Sequence, residues 1–147
     1  MRIITGEYRG RKLKTPKGDT IRPTSDKVKE SIFNLLMNET YDKIFCDLFS
    51  GTGSLGLEAL SRGAKRCYFC DISRESIAIV KENVAHCNAG DRSIIIHGDF
   101  VRSLSKIVEK VDVFLLDPPY RAGLYEKCLE LIERLDLLTL NGIIFCQ

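Results

Sequence analysis

The sequence has no run of 18 consecutive apolar residues, so no membrane-spanning helix is expected. Its first residues, Met1-Arg2-Ile3-Ile4-Thr5-Gly6-Glu7, turn polar too early for a secretory signal, which points to a cytoplasmic protein. Internal repeats and low-complexity segments are missing, which argues against a solenoid or a disordered linker. Of the six cysteines (Cys46, Cys67, Cys70, Cys87, Cys128 and Cys146), only Cys67 and Cys70 stand at zinc-like spacing, with no second pair to match. That pair lies in an apolar run that reads as a strand. Residues three apart on a strand face opposite ways, so the thiols diverge; buried, reduced cysteines and no metal are expected. His86 and His97 have no acid or thiol pattern beside them and read as structural.

What is present fits one globular domain: 147 residues, 44% hydrophobic and 29% charged. The net charge of +2 conceals an asymmetry, because residues 1–30 carry nine Lys/Arg against four acids, +5, leaving −3 for the rest. A basic arm on a mildly acidic body suits an anionic polymer, although a solvated Lys-rich surface has the same composition.

Residues 2–5 and 11–15 flank Gly6–Gly10 and read as a small hairpin. A helix follows Thr24 or Ser25, with Val28, Ile32, Leu35 and Leu36 on one face. Strands are expected at 44–49, 66–71, 93–97, 111–116 and 142–146. Helices are expected at 54–62, from Ser73 to about Cys87 (Ile77, Val80 and Val84 inward), at 101–109 and at 125–138. Alternation of strand and helix with short connections predicts an α/β fold, a Rossmann-like doubly wound parallel sheet. The organisation expected is a basic extension over 1–40 packed on a catalytic core over 41–147.

The first strand runs into Asp47-Leu48-Phe49-Ser50-Gly51-Thr52-Gly53-Ser54-Leu55-Gly56. Glycines here let a ligand approach the backbone, and Gly51-x-Gly53-x-x-Gly56 matches a dinucleotide fingerprint. Asp71, at the end of the next strand, stands where a ribose-binding acid belongs, so an NAD-dependent oxidoreductase is one reading. Asp47 counts against it: a carboxylate beside a pyrophosphate is repelled, whereas it suits the ammonium and sulfonium of S-adenosylmethionine. Phe49 and Ile72 are further candidates to bind the same ligand. After the third strand, Asp99 can accept from an adenine amino group and Phe100 can pack on the ring; the plain alternative is a strand-end turn.

Asp117-Pro118-Pro119-Tyr120 follows the fourth strand. Two prolines stiffen the turn and remove two N–H donors, which leaves an acceptor-rich pocket. A base amino group has two N–H donors and a delocalised lone pair. Asp117 and the Pro118 carbonyl can accept both bonds and aim the nitrogen at a methyl sulfonium, and Asp117 can take the proton released. Tyr120 can stack on the base, a contact of about 1–3 kcal/mol.

These segments resemble the successive motifs of class I S-adenosylmethionine-dependent methyltransferases, and Asp117–Tyr120 is similar to those that methylate amino nitrogens of bases. Two N-terminal blocks are more specific. Arg2-Ile3-Ile4-x-Gly6-x-Tyr8-Arg9-Gly10-Arg11-x-Leu13 and Arg22-Pro23-Thr24-Ser25-Asp26-x-Val28-Lys29-Glu30, with Phe33-Asn34, resemble the RsmD family, which methylates the exocyclic N2 amine of a guanine in 16S ribosomal RNA.

The resemblance implies a sheet with one antiparallel strand near an edge. It implies methyl-donor contacts at Asp47, Gly51, Gly53, Asp71 and Asp99, and base handling at Asp117, Pro118 and Tyr120. It implies that the Arg22–Lys29 block helps close the donor or RNA site, with Arg22 and Lys29 at the nucleic acid, and RNA phosphate contacts at Arg9, Arg11 and Lys12. The partner implied is 16S rRNA within the small ribosomal subunit, met by a monomer. Aromatic-rich RNA-binding modules are lacking, so recognition would depend on substrate shape as well as sequence. The family fold continues with a further helix and two strands, so a truncated chain with an uncovered edge strand is expected. A DNA adenine or cytosine amino-methyltransferase shares the same chemistry, and a silent RNA-binding scaffold could share the same fold.

Overall fold

The computed structural model describes residues 1–17, 25–118 and 123–147. Its centre is a sheet of β1 (Ile44–Asp47), β2 (Arg66–Asp71), β3 (Ser93–His97), β4 (Val111–Leu116) and β5 (Leu138–Cys146). The strand order is β3-β2-β1-β4-β5 and every pairing is parallel. The antiparallel edge strand that the resemblance implies is not among the strands of the described residues. The order reverses between β1 and β4, and the crevice for a ligand in such a sheet opens at the carboxyl ends of those two strands.

Because strand side chains alternate, the sheet builds two cores. On one face Phe45, Cys67, Phe69, Val113 and Leu115 pack with α1 (Asp26–Leu36), α2 (Ser54–Ser61), α3 (Arg74–His86) and the N-terminal residues Ile3, Tyr8 and Leu13. On the other, Cys46, Tyr68, Cys70, Phe114 and Leu116 pack with α4 (Phe100–Ser105) and α5 (Leu124–Arg134) through Leu104, Cys128 and Ile132. Cys67 and Cys70 thus lie in opposite cores, as their spacing on a strand requires.

Local chemistry sets the helix boundaries. Ser25, Ser73 and Asp99 cap α1, α3 and α4 by accepting from the backbone of Val28, Ser76 and Arg102. Gly63, Asn88 and Asp136 turn left-handed just beyond α2, α3 and α5, at φ of 101°, 53° and 52°. The Asp136 turn lets Leu137 donate back to Ile132 O at 3.1 Å, and this ends α5 sooner than the expected position 138. Pairing of Leu138 with Val111 then starts β5 four residues before the expected 142, with a register shift before Ile143 meets Val113. The fourth helix begins one residue before the expected Val101, set by its Asp99 N-cap, and stops at Ser105 rather than 109.

The buried face of α1 also differs from its apolar pattern. Ile32 and Leu36 are buried as expected, but Val28 and Leu35 are exposed, and Lys29 and Phe33 take their places. The hairpin is minimal, an isolated antiparallel bridge between Arg2 and Lys12 flanked by bonds such as Ile3 N to Arg11 O at 3.0 Å. No helix among the described residues is long and apolar enough to cross a membrane.

Candidate methyl-donor and base site

The crevice is built from the ends of β1, β2 and β4. Beyond β1 the chain turns through Gly51 and Gly53, both left-handed at φ of 54° and 83°. A Cβ on Gly51 would meet nothing within 4 Å, so this part of the turn faces open space; any side chain there would nevertheless be strained by the positive φ. Gly56 serves a different purpose. A Cβ there would lie 2.4 Å from Phe69 Cε1 and 2.8 Å from Cys67 Sγ, so only glycine lets α2 seat this close to β2.

Side-chain carboxylates fix the turn. Asp71 accepts from Gly51 N at 2.9 Å and from Ser73 N at 2.8 Å, joining the glycine turn to the start of α3. Asp47 accepts from Gly56 N at 3.2 Å and is 3% exposed. Burial pushes the Asp47 carboxyl up to about 7; the Gly56 bond opposes the rise, and the charges of Asp71 and Asp117 add to it. Burial raises the neighbouring Cys46 and Cys67 thiols, and the charge of Asp47 adds to the rise. Three carboxylates therefore converge where β1, β2 and β4 end, a field that attracts a cation and repels a phosphate. Ser50 Oγ is enclosed in the turn without a hydrogen-bond partner among the described residues, unlike most buried hydroxyls.

Asp117 lies at the exposed mouth of the crevice directly after β4, and partial burial raises its carboxyl above the ordinary aspartate value. Pro118 is partly buried beside it; Pro119 and Tyr120 lie outside the described residues. Among the other candidates, Ile72 is 69% exposed at the rim, while Phe49 and Phe100 are partly buried against the second core. Asp99 is exposed, and its Oδ1 accepts from Arg102 N at 2.8 Å, so one oxygen is committed to capping α4.

This geometry agrees with the comparisons with known proteins. Residues 1–147 match the family described as Conserved hypothetical protein 95. The Ribosomal RNA small subunit methyltransferase D of Escherichia coli (strain K12) is 34% identical over 147 residues, covering 100% of this chain and 74% of that protein. The protein of the same name from Haemophilus influenzae is 35% identical over 151 residues, covering 100% of this chain and 78% of its own. The chain belongs to the RsmD family of methyltransferases. Its fold is correspondingly close to the solved structure of the Escherichia coli protein yhhF, with a TM-score of 0.81 and 33% identity over 98% of this chain and 74% of that one.

Within that family frame, the basic candidates separate into distinct roles. Arg9 and Lys12 are exposed on the hairpin. Arg11 is also exposed but lies over the Tyr8 ring, 5.6 Å from its centroid, and donates to His86 O at 3.2 Å, near the carbonyl end of α3. Arg22 lies outside the described residues.

Lys29 requires a correction. It is fully buried, pairs with Glu58 Oε1 at 3.3 Å, and donates to Arg2 O at 2.7 Å and Ser54 Oγ at 2.9 Å. An ammonium enclosed in this way cannot reach an RNA phosphate; it joins α1 to the start of α2. The apolar spacing of α1 hid this, because Lys29 occupies a core position that the spacing assigned to apolar neighbours.

Two further polar residues, Glu58 and Asn83, were not legible as functional. Glu58 is buried on α2 and accepts from Ile4 N at 2.9 Å and Thr5 N at 3.1 Å, as well as pairing with Lys29. Asn83 lies on the inward face of α3, three residues after Val80, and a polar residue in that register was the one available signal.

Proposed function

We propose that this chain transfers a methyl group from S-adenosylmethionine to the exocyclic N2 amine of a guanine in 16S rRNA, within the small ribosomal subunit in the cytoplasm. The observation that carries the reading is the convergence of Asp47, Asp71 and Asp117 at the β1/β4 switch of a family-specific fold. The donor is a cation at its sulfonium and ammonium, and the open face of Gly51 fits a ligand resting on the turn. In this reading Asp71 accepts from a ribose with lone pairs that the Gly51 and Ser73 amides leave free, and Phe100 packs near the adenine.

At the reacting end, Asp117 and the Pro118 carbonyl accept the two N–H bonds of the base amine. The amine nitrogen displaces the sulfonium leaving group at the methyl carbon, forming N–C as C–S breaks. The nitrogen then carries the positive charge, and its surplus proton passes to Asp117 or to water. Alignment of nitrogen, methyl carbon and sulfur supplies most of the rate.

The test uses labelled S-adenosylmethionine, small subunits from a strain lacking the modification, and a DNA control. N2-methylguanosine in RNA alone supports the reading. Methyladenine or methylcytosine in DNA would keep the chemistry and overturn the substrate. RNA binding without donor binding would leave a scaffold.

The raised Asp47 makes donor affinity pH-dependent. A bound cation favours the ionised carboxylate, so donor binding should release a proton below about pH 7, and affinity should rise between pH 5.5 and 8.5. Folding has the opposite sign. Asp47 binds its proton more tightly in the folded chain, so its contribution is fully present below the unfolded aspartate value and is lost as pH rises through about 7. Calorimetry in buffers of different ionisation enthalpy measures the proton release, and a flat pH profile would remove Asp47 from this role.

A further inference from the structure

The glycine turn is held from a second side by groups that the proposed chemistry does not use. Asn83, 1% exposed on α3, donates through Nδ2 to Thr52 O at 2.9 Å and to Lys14 O at 3.1 Å. Its Oδ1 accepts from Lys14 N at 2.7 Å. One side chain therefore pairs with both polar backbone groups of Lys14, in the basic N-terminal arm, and with the peptide between Gly51 and Gly53. Two residues further on, Ser54 Oγ receives the bond from Lys29, whose ammonium also holds Arg2 O.

The bonds to Thr52 O and Ser54 Oγ are buried, and those to Lys14 and Arg2 are partly buried. A fully bonded polar network in a low-dielectric interior is rigid, and leaving one of its groups unpaired is costly. The arm is thereby bonded to the turn at Thr52 and to the start of α2 at Ser54, while Asp71 bonds the turn at Gly51.

We propose that Asn83 is a positioning residue, seconded by Lys29, that couples the N-terminal arm to the methyl-donor turn, so that seating the donor orders the arm and engagement of the arm tightens the donor. The second half follows from the first, because coupling between two binding equilibria is reciprocal. Asn83 does not touch donor or base; it acts through the Thr52 peptide. The proposal rests on the reading of this turn as the donor site.

Amide hydrogen exchange with and without S-adenosylmethionine tests it, read at Ile3, Gly10 and Leu13, whose amides bond within the hairpin and not to Asn83. In the wild-type protein the donor should slow these amides by about fivefold or more, the lower range of measured couplings. In Asn83→Ala the donor should still bind, about tenfold more weakly, and the donor-dependent slowing should disappear. Asn83→Asp, isosteric but without the amide donors, should behave in the same way if the alanine variant does not fold.

A merely structural Asn83 would accelerate exchange equally with and without donor. Donor binding that leaves the wild-type arm unchanged would overturn the coupling while sparing the assignment of the turn. A wild-type protein to which S-adenosylmethionine does not bind would overturn both.

Discussion

Asp117→Ala should lower methyl transfer by about a hundredfold or more, the usual scale for loss of a positioned acid–base group, with donor affinity nearly unchanged. The carboxylate stands after β4 at the mouth of the crevice, whereas the turn is fixed by Asp47 and Asp71 through Gly56 and Gly51. Removing Asp117 takes away an acceptor for the base amine and a destination for its proton, but leaves those bonds in place. Its charge also raises Asp47, so the variant should hold Asp47 ionised to slightly lower pH. Asp71→Ala is the contrasting control. It frees Gly51 N and Ser73 N and should weaken the donor without changing RNA affinity. Single-turnover rates at saturating donor, set beside calorimetric affinities, separate the two patterns. Unchanged turnover in Asp117→Ala would remove that residue from the chemistry.

Glu58→Ala should be the most destabilising single change in the described core, by about 3–5 kcal/mol, as when one partner of a buried ion pair is deleted. Lys29 would keep Ser54 Oγ and Arg2 O but lose its counter-charge, and the Ile4 and Thr5 amides would lose their acceptor. Arg62, now bound to Glu58 at 3.0 Å, would retain its contact with the Phe33 ring. A loss of this size is a large share of the roughly 5–15 kcal/mol that holds a domain folded.

The effect also has a pH signature. Burial already pushes the Lys29 ammonium down, with Glu58 opposing, and the variant removes that opposition. A depressed lysine binds its proton less tightly in the folded chain, so stability is present above the unfolded lysine value and is lost as pH falls. The deficit in Glu58→Ala should therefore be smaller at pH 9 than at pH 6. Urea unfolding at the two pH values measures it. A loss under about 1 kcal/mol at both, no more than a typical surface pair, would mean that Lys29 finds other solvation.

The sequence by itself determined the alternation of strands and helices, the limits of β2, β3 and β4, the Ser73 cap, and the motifs of the crevice. Each depends on local chemistry: strand alternation, capping hydroxyls, and glycines where the backbone turns left-handed. It also carried the family, because the N-terminal blocks and Asp117–Tyr120 are contiguous in the chain. Tertiary structure alone decided where α5 gives way to β5, since Leu138 is drawn into a strand by pairing with Val111, 27 positions earlier in the chain. It also decided the fate of Lys29. By composition Lys29 is one more basic residue of the arm, but Glu58 and the Arg2 carbonyl, brought together only by folding, make it a buried structural cation. Asn83 is the same case. Its partners, Lys14 and Thr52, are 69 and 31 positions away, and no local pattern shows that one amide will satisfy both. Short-range spacing specifies conformations that a few neighbouring residues can stabilise; a buried polar group is specified only by the distant groups that satisfy it.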